Sequence, residues 1–243
     1  MPNRKVNLLI AGIAAATAAI PAYRFLVRPW HMRWGATDEE LKKVLPGDEL
    51  VPNPQLRVTH AITINARASD VWPWLVQMGQ GRGGMYSYDW LENLFGLDFH
   101  SADRVLPEWQ NLAVGDVMPL APGSFGPKVA LLEPNKLLVL HGDTRIENNR
   151  QMTAEMKLKP GDYFAVVWSF FLDERGIGTT RLVERFSLDY NPSLANRLFY
   201  RVALEPGSFI MERKMLLGIK ARVEAQARLG EQVKPSLPQA TSA

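Results

Sequence analysis

The sequence predicts an α+β fold in which a curved antiparallel sheet of about six strands wraps around a long C-terminal helix. Three observations carry this reading. Short strand candidates separated by turn residues crowd the middle of the chain. The pattern becomes helical from Pro206 to Leu229, with Phe209, Ile210, Leu216, Leu217 and Val223 as an apolar stripe and Glu212, Arg213, Lys214, Lys220, Arg222 and Glu224 as the wet side. One strand, Leu56 to Asn65, stands apart and runs at once into helical segments.

Before that strand the chain has a different character. Its 28 basic and 25 acidic residues give a net +3, but residues 1–34 hold Arg4, Lys5, Arg24, Arg28 and Arg33 and no acid. The remainder is slightly acidic, which excludes a basic nucleic-acid-binding main domain. Between those charges lies Val6 to Tyr23, free of charge, which as a helix would rise about 27 Å, with Phe25, Leu26 and Val27 extending it past Arg24. Residues 1–34 are therefore expected to be a membrane anchor, with residues 6–27 as a single-pass span and Trp30 and Trp34 as an interfacial belt. The slight excess of basic residues after the span favours a cytoplasmic main domain. The alternatives are a signal peptide cleaved on export and a helix buried in the domain.

Residues 35–55 read as a linker with a short helix capped by Thr37 and Glu40. The main domain is expected over 56–229, followed by a Pro/Ser/Gln/Ala tail at 230–243 expected to be disordered. Nothing before Leu56 is expected to supply a sheet edge. After the first strand come helices at Ser69–Met78, with Pro73 in its first turns, and Tyr88–Phe95, joined by the glycine turn GQGRGG. The further strand candidates are Val114–Leu120, Lys128–Glu133, Lys136–His141, Phe164–Leu172 and Thr179–Tyr190. The polar stretch 142–163 is longer than a hairpin loop and is either a flap or small structure of its own. One helix across a strongly bent sheet leaves a hollow between the two.

Several stretches carry a resemblance. Thr59–Asn65 running into Val71-Trp72-Pro73-Trp74-Leu75, MGQGRGGMYSYDWLENL from Met78, HSADR from His100, LPEWQNLAVGD from Leu106 and FIMERKMLLGIKAR from Phe209 resemble the START-like, birch-pollen-allergen-like superfamily called SRPBCC. The likeness is greatest to its bacterial membrane-associated branch, with an RWGAT-type linker here at Arg33–Thr37. The resemblance covers nearly the whole chain and implies a helix-grip fold around a hydrophobic cavity. It implies binding, or carriage at the membrane, of a hydrophobic or amphipathic small molecule such as a lipid, isoprenoid or polyketide-like compound. The alternative is a cyclase/dehydratase-like or hydrolase-like enzyme using the same cavity.

The residues that would serve these functions are few. With no cysteine, thiol nucleophiles, thiolate zinc sites and cysteine-held clusters are excluded. GQGRGG follows a helix and lacks the Gly-Lys-Ser/Thr ending of a phosphate loop. The four histidines have no zincin spacing and there is no Gly-x-Ser-x-Gly elbow. No metal and no cofactor are expected. For ligand binding the candidates are Arg82, Tyr86, Tyr88, His141, Trp168, Met211 and Met215; for catalysis, Tyr88, His100 and His141. Each has a plainer reading: a solvated arginine, core aromatics, a surface histidine beside Asp98 and Asp103, methionines filling a core. Asp89 and Glu92 share one helix face and can act together or simply be solvated.

Overall fold

The computed structural model describes residues 21–123, 125–146, 158–159 and 161–232. Five strands form one antiparallel sheet in the order β1-β5-β4-β3-β2: β1 Leu56–Ile64, β2 Lys128–Glu133, β3 Leu137–Asp143, β4 Phe164–Glu174 and β5 Thr180–Tyr190. The helices are α1 Arg28–His31, α2 Asp38–Lys42, α3 Ala68–Val76, α4 Asp89–Leu94, α5 Leu194–Leu198 and the long α6 Glu205–Gln232. The curved sheet gripping α6 is the helix-grip arrangement. The sixth strand expected at Val114–Leu120 does not form: Val117 makes only an isolated bridge with Lys128. Pro119, Pro122 and Pro127 supply no amide donors, and Gly115 turns the chain at positive φ.

One face of the sheet presents Leu138, Leu140, Trp168, Phe170 and Leu182 to α3 and α6. Their partners include Val71, Trp74 and Leu75 of α3 and Met215, Leu216, Ile219 and Val223 of α6, all buried. α3, with Pro73 accommodated inside it, joins α6 on the concave side, and three clefts lined by described residues lie elsewhere on the molecule. Trp74 and Tyr86 are the bulkiest fillers, packed edge to face at 5.7 Å.

The other face is also covered. Residues 35–51, read from sequence as a linker, form a strap whose Leu45 and Val51 pack on the sheet's outer side against Val139, Val167, Ala61 and Val183. The capping box of α2 forms as expected, Thr37 Oγ1 accepting from Glu40 N–H while Glu40 reaches back to Thr37 N–H. Two arginines of β5 then hold the strap. Arg181 grips Glu40 at 2.8 Å through both carboxylate oxygens. Arg185, 2 % exposed, donates to Asp48 Oδ2 (2.7 Å), the carbonyls of Lys43 and Glu40, and Thr59 Oγ1.

Residues 31–34 run along the edge of β1, which corrects the expectation that nothing before Leu56 supplies a sheet edge. Thr59 and Ala61 donate their amides to the carbonyls of Met32 and Trp34, so these edge groups are satisfied within the chain. The single-pass membrane localisation is also corrected: among the described residues no helix is long and apolar enough to cross a membrane. The longest, α6, carries charged residues along its length. Residues 6–20 of the expected span lie outside the described residues, as do 147–157 of the polar stretch and 233–243 of the tail.

Arg185 gives a direct test of the strap. Replacing it by methionine keeps the aliphatic bulk but strips Asp48 Oδ2 of its ion pair, leaving it the Leu45 amide, and takes the arginine donor from the carbonyls of Lys43 and Glu40. Arg185→Met should cost about 3 kcal/mol in urea unfolding; a loss below about 0.5 kcal/mol would show that apolar contacts alone hold residues 35–51.

Candidate functional site

The residues singled out from sequence are scattered. Tyr86 is core: its hydroxyl donates to the Trp74 carbonyl at 2.9 Å, Arg222 lies over its ring, and burial pushes its pKa up. Its backbone stands at φ 56°, and a Cβ on Gly218 of α6 would run into its carbonyl oxygen. Met215 is core beside it, while Met211 is half-buried and takes the Ser87 hydroxyl on its carbonyl at 3.1 Å. Trp168 faces α6.

Tyr88 sits half-buried ahead of α4, with Trp90 at 6.5 Å and the Lys214 ammonium over its ring. His100 is on the surface, paired with Asp98 at 3.0 Å. His141 lies on the same side of β3 as Val139, away from α6; burial lowers its pKa and leaves Nε2 without a partner. Arg82 caps the end of α3, donating to the Val76 carbonyl at 2.7 Å and lying 4.7 Å over Trp109, beside a cleft of about 460 Å³. Tyr88, His100 and His141 line none of the three clefts. No two of the proposed proton-moving groups share one of them.

What the fold does gather is a buried cluster. The β1–β5 register sets His60 directly opposite Glu184, and α6 brings Glu212 over both. His60 Nδ1 is 3.2 Å from Glu184 Oε2 and 3.2 Å from Glu212 Oε2. Its Nε2 donates to the His31 carbonyl at 2.8 Å, since a carbonyl oxygen only accepts. Trp168 Nε1–H donates to Glu184 Oε1 at 2.6 Å. Burial pulls the His60 pKa down, but the two carboxylates outweigh it and raise it to about 10. Burial and the neighbouring Glu184 push Glu212 upward.

A second histidine–glutamate pair lies one step along α6. Glu205 is 3.5 Å from His31 Nε2 and takes both oxygens of its carboxylate to Arg28 at 2.9 Å. Burial holds His31 below its ordinary value despite Glu205. Sequence reasoning placed Glu212 on the wet side of the helix; the structure corrects this. The buried positions 205, 212, 216, 219 and 223 follow a three-four spacing, and Ile210, expected in the apolar stripe, is 52 % exposed. That phase was available in the sequence, but Glu212 on an apolar face read as solvent-facing without its partners, and Glu205 lay ahead of the expected helix.

The third feature is a cleft of about 880 Å³ lined by Tyr23, Arg24, Phe25, Arg28, Leu198, Arg201, Val202 and Pro206. Its two walls are π-helical: Tyr23–Val27 on one side and Phe199–Leu204 on the other. Phe25, Leu198 and Val202 are each more than half exposed.

No family model matches the chain, and no curated protein matches it. Solved structures of similar chain path include a hypothetical protein, jhp0584, from Helicobacter pylori (10 % identity, 74 % of this chain and 95 % of that one, TM-score 0.42). Protein MLL2253 from Mesorhizobium loti is 16 % identical over 70 % of this chain and 97 % of that one, with TM-score 0.39. A norcoclaurine synthase point mutant from Thalictrum flavum, in complex with a transition-state analogue, is 16 % identical over 70 % and 95 %, with TM-score 0.34.

Of the Asp89 and Glu92 pair, Asp89 is engaged by the Ser101 amide and hydroxyl, both at 2.6 Å. Glu92 is buried with Oε2 unpartnered, and burial together with the Asp89 charge raises its pKa to about 7. The folded value lies above the unfolded 4.5, so the associated stability is full below about pH 4.5 and is lost as pH rises through 7. Glu92→Gln should match the parent at pH 4 and be more stable by about 2 kcal/mol at pH 8 in urea unfolding. Stability curves that run parallel across that range would show that Glu92 ionises freely.

Proposed function

We propose that the protein binds an amphipathic small molecule with an apolar chain and an anionic head, of lipid-like or isoprenoid-like chemistry. The observation that carries this is the cleft between the two π-helical walls. Such turns make up well under 1 % of residues in globular proteins and recur at functional sites; here two of them face one another across one space. Phe25, Leu198, Val202 and Pro206 offer apolar surface for a chain, and Arg24 and Arg201 offer cationic groups for the head, while Arg28 in the wall is already paired with Glu205. Its volume of about 880 Å³ lies within the usual range for small-molecule sites.

This reading keeps the ligand class expected from sequence and moves its place. The site lies where the segment before β1 meets the entry to α6, away from the concave side on which α3 and α6 pack. The groups that would hold chain and head are then different residues from those singled out in the sequence.

Full-length protein titrated with dansylaminoundecanoic acid should show saturable fluorescence enhancement. Leu198→Asp and Val202→Asp, both at exposed positions, should each weaken binding at least tenfold, about 1.4 kcal/mol, with the far-UV spectrum unchanged. Arg201→Ala should weaken the carboxylate probe more than the corresponding alcohol displaces it. Absence of saturable binding, or affinities unmoved by the two aspartates, would overturn the proposal.

A further inference from the structure

We propose that His60, Glu184 and Glu212 form a binding site for a divalent first-row metal ion of the zinc class. The three residues come from β1, β5 and α6, and their ligand atoms all lie within 4.8 Å of one another.

The hydrogen bonds around the cluster are those that orient metal ligands. A ligating histidine characteristically donates its second ring N–H to a carbonyl or carboxylate, which fixes the tautomer and turns the other nitrogen toward the ion. His60 does this through Nε2 and the His31 carbonyl. Trp168 Nε1–H likewise occupies one oxygen of Glu184 and leaves the other, Oε2, facing His60 Nδ1. Both of these hydrogen bonds tie the ligands to groups outside the cluster, while Nδ1 points its own N–H inward at Glu184 Oε2 until an ion replaces the proton.

Inside, Glu212 Oε2 is buried and meets no hydrogen-bond donor, although it lies only 3.2 Å from Nδ1 and its side chain is 9 % exposed. In the metal-free cluster the imidazolium form of His60, favoured by both carboxylates, supplies one positive charge. A divalent ion displaces that proton, and its two positive charges balance two carboxylates and the neutral imidazole. Ligands at about 2.0–2.2 Å from a tetrahedral ion lie roughly 3.3–3.6 Å apart, and the two Nδ1 to Oε2 separations of 3.2 Å need to open only slightly.

The surroundings fit a closed, dry site. The rings of Phe209 and Trp34 lie 5.6 Å and 6.5 Å from the His60 ring, and His60 and Glu184 are fully buried while Glu212 keeps a slight exposure that gives a way in. One nitrogen and two carboxylates suit zinc and its neighbours better than magnesium or calcium, which favour oxygen alone. Three protein ligands leave a fourth position for water or an anionic ligand atom.

The test uses full-length, untagged protein stripped with a chelator and titrated with zinc chloride at pH 7.5 by calorimetry, with metal content measured after dialysis. The expected result is one zinc per chain with Kd below about 10 μM, a Tm raised by several degrees at 1 mM zinc, and the intense visible absorption of four-coordinate cobalt when Co²⁺ replaces zinc. Glu212→Gln, nearly isosteric, and Glu184→Gln should each weaken binding at least a hundredfold, while His100→Gln on the surface should leave it unchanged. No saturable zinc binding, or no Tm shift and no such cobalt spectrum in the parent protein, would overturn the proposal. So would an affinity that survives both glutamine variants or is lost with His100, which would assign the ion to the surface. These readouts do not involve the cleft at Phe25 and Val202, so loss of lipid-probe binding and loss of zinc binding are separate results.

Discussion

Glu184 and Arg185 are consecutive on β5, both buried, and necessarily on opposite faces of the sheet. Burying two charges back to back obliges each face to supply partners, and much of the remaining architecture is the answer. On the outer face Arg185 draws Asp48 and the carbonyls of residues 40 and 43 across the sheet, so residues 35–51 become a layer of the fold. On the inner face Glu184 meets His60, Trp168 and, through them, α6. The strand that carries both charges pairs with β1 on one side and β4 on the other, so neither charge can move to solvent without opening the sheet.

Where local pattern decided the structure, the sequence was readable. The strand candidates from Lys128 on became β2 to β5 within a few residues of their expected ends, and Thr37 and Glu40 form the cap their spacing implies. The strand at Val114–Leu120 failed because alternation cannot outweigh prolines at 119, 122 and 127. The packing of α3 on the concave side was hidden for a tertiary reason: nothing in the spacing of Trp74 and Tyr86 tells that both point there.

The buried charge cluster was hidden for a different cause. His60 was visible as a histidine in a strand, but its partners are 124 and 152 positions away, and the register pairing it with Glu184 depends on which strands are neighbours. Glu212 sat in phase with Leu216, Ile219 and Val223, and composition argued for water where geometry supplied a histidine; Glu205, outside the expected helix, likewise meets His31. The N-terminal apolar stretch was read by hydropathy alone, and the described part of it shows Arg28, His31 and Trp34 engaged with Glu205, Phe209, His60 and Arg213.

Those same contacts constrain the order in which the molecule is made. Trp30 rests on Phe209 at 5.2 Å and Arg28 on Glu205 at 2.9 Å, joining segments about 180 residues apart in the chain. At roughly 5–20 residues per second of synthesis, Arg28 and Trp30 wait on the order of ten seconds or more for their partners on α6, whereas the edge-capping carbonyls of Met32 and Trp34 meet β1 much sooner. The His60–Glu184 pair can form with the β1–β5 ladder, but Glu212 joins it only when α6 arrives, so the cluster is assembled in two stages set by the order of the chain.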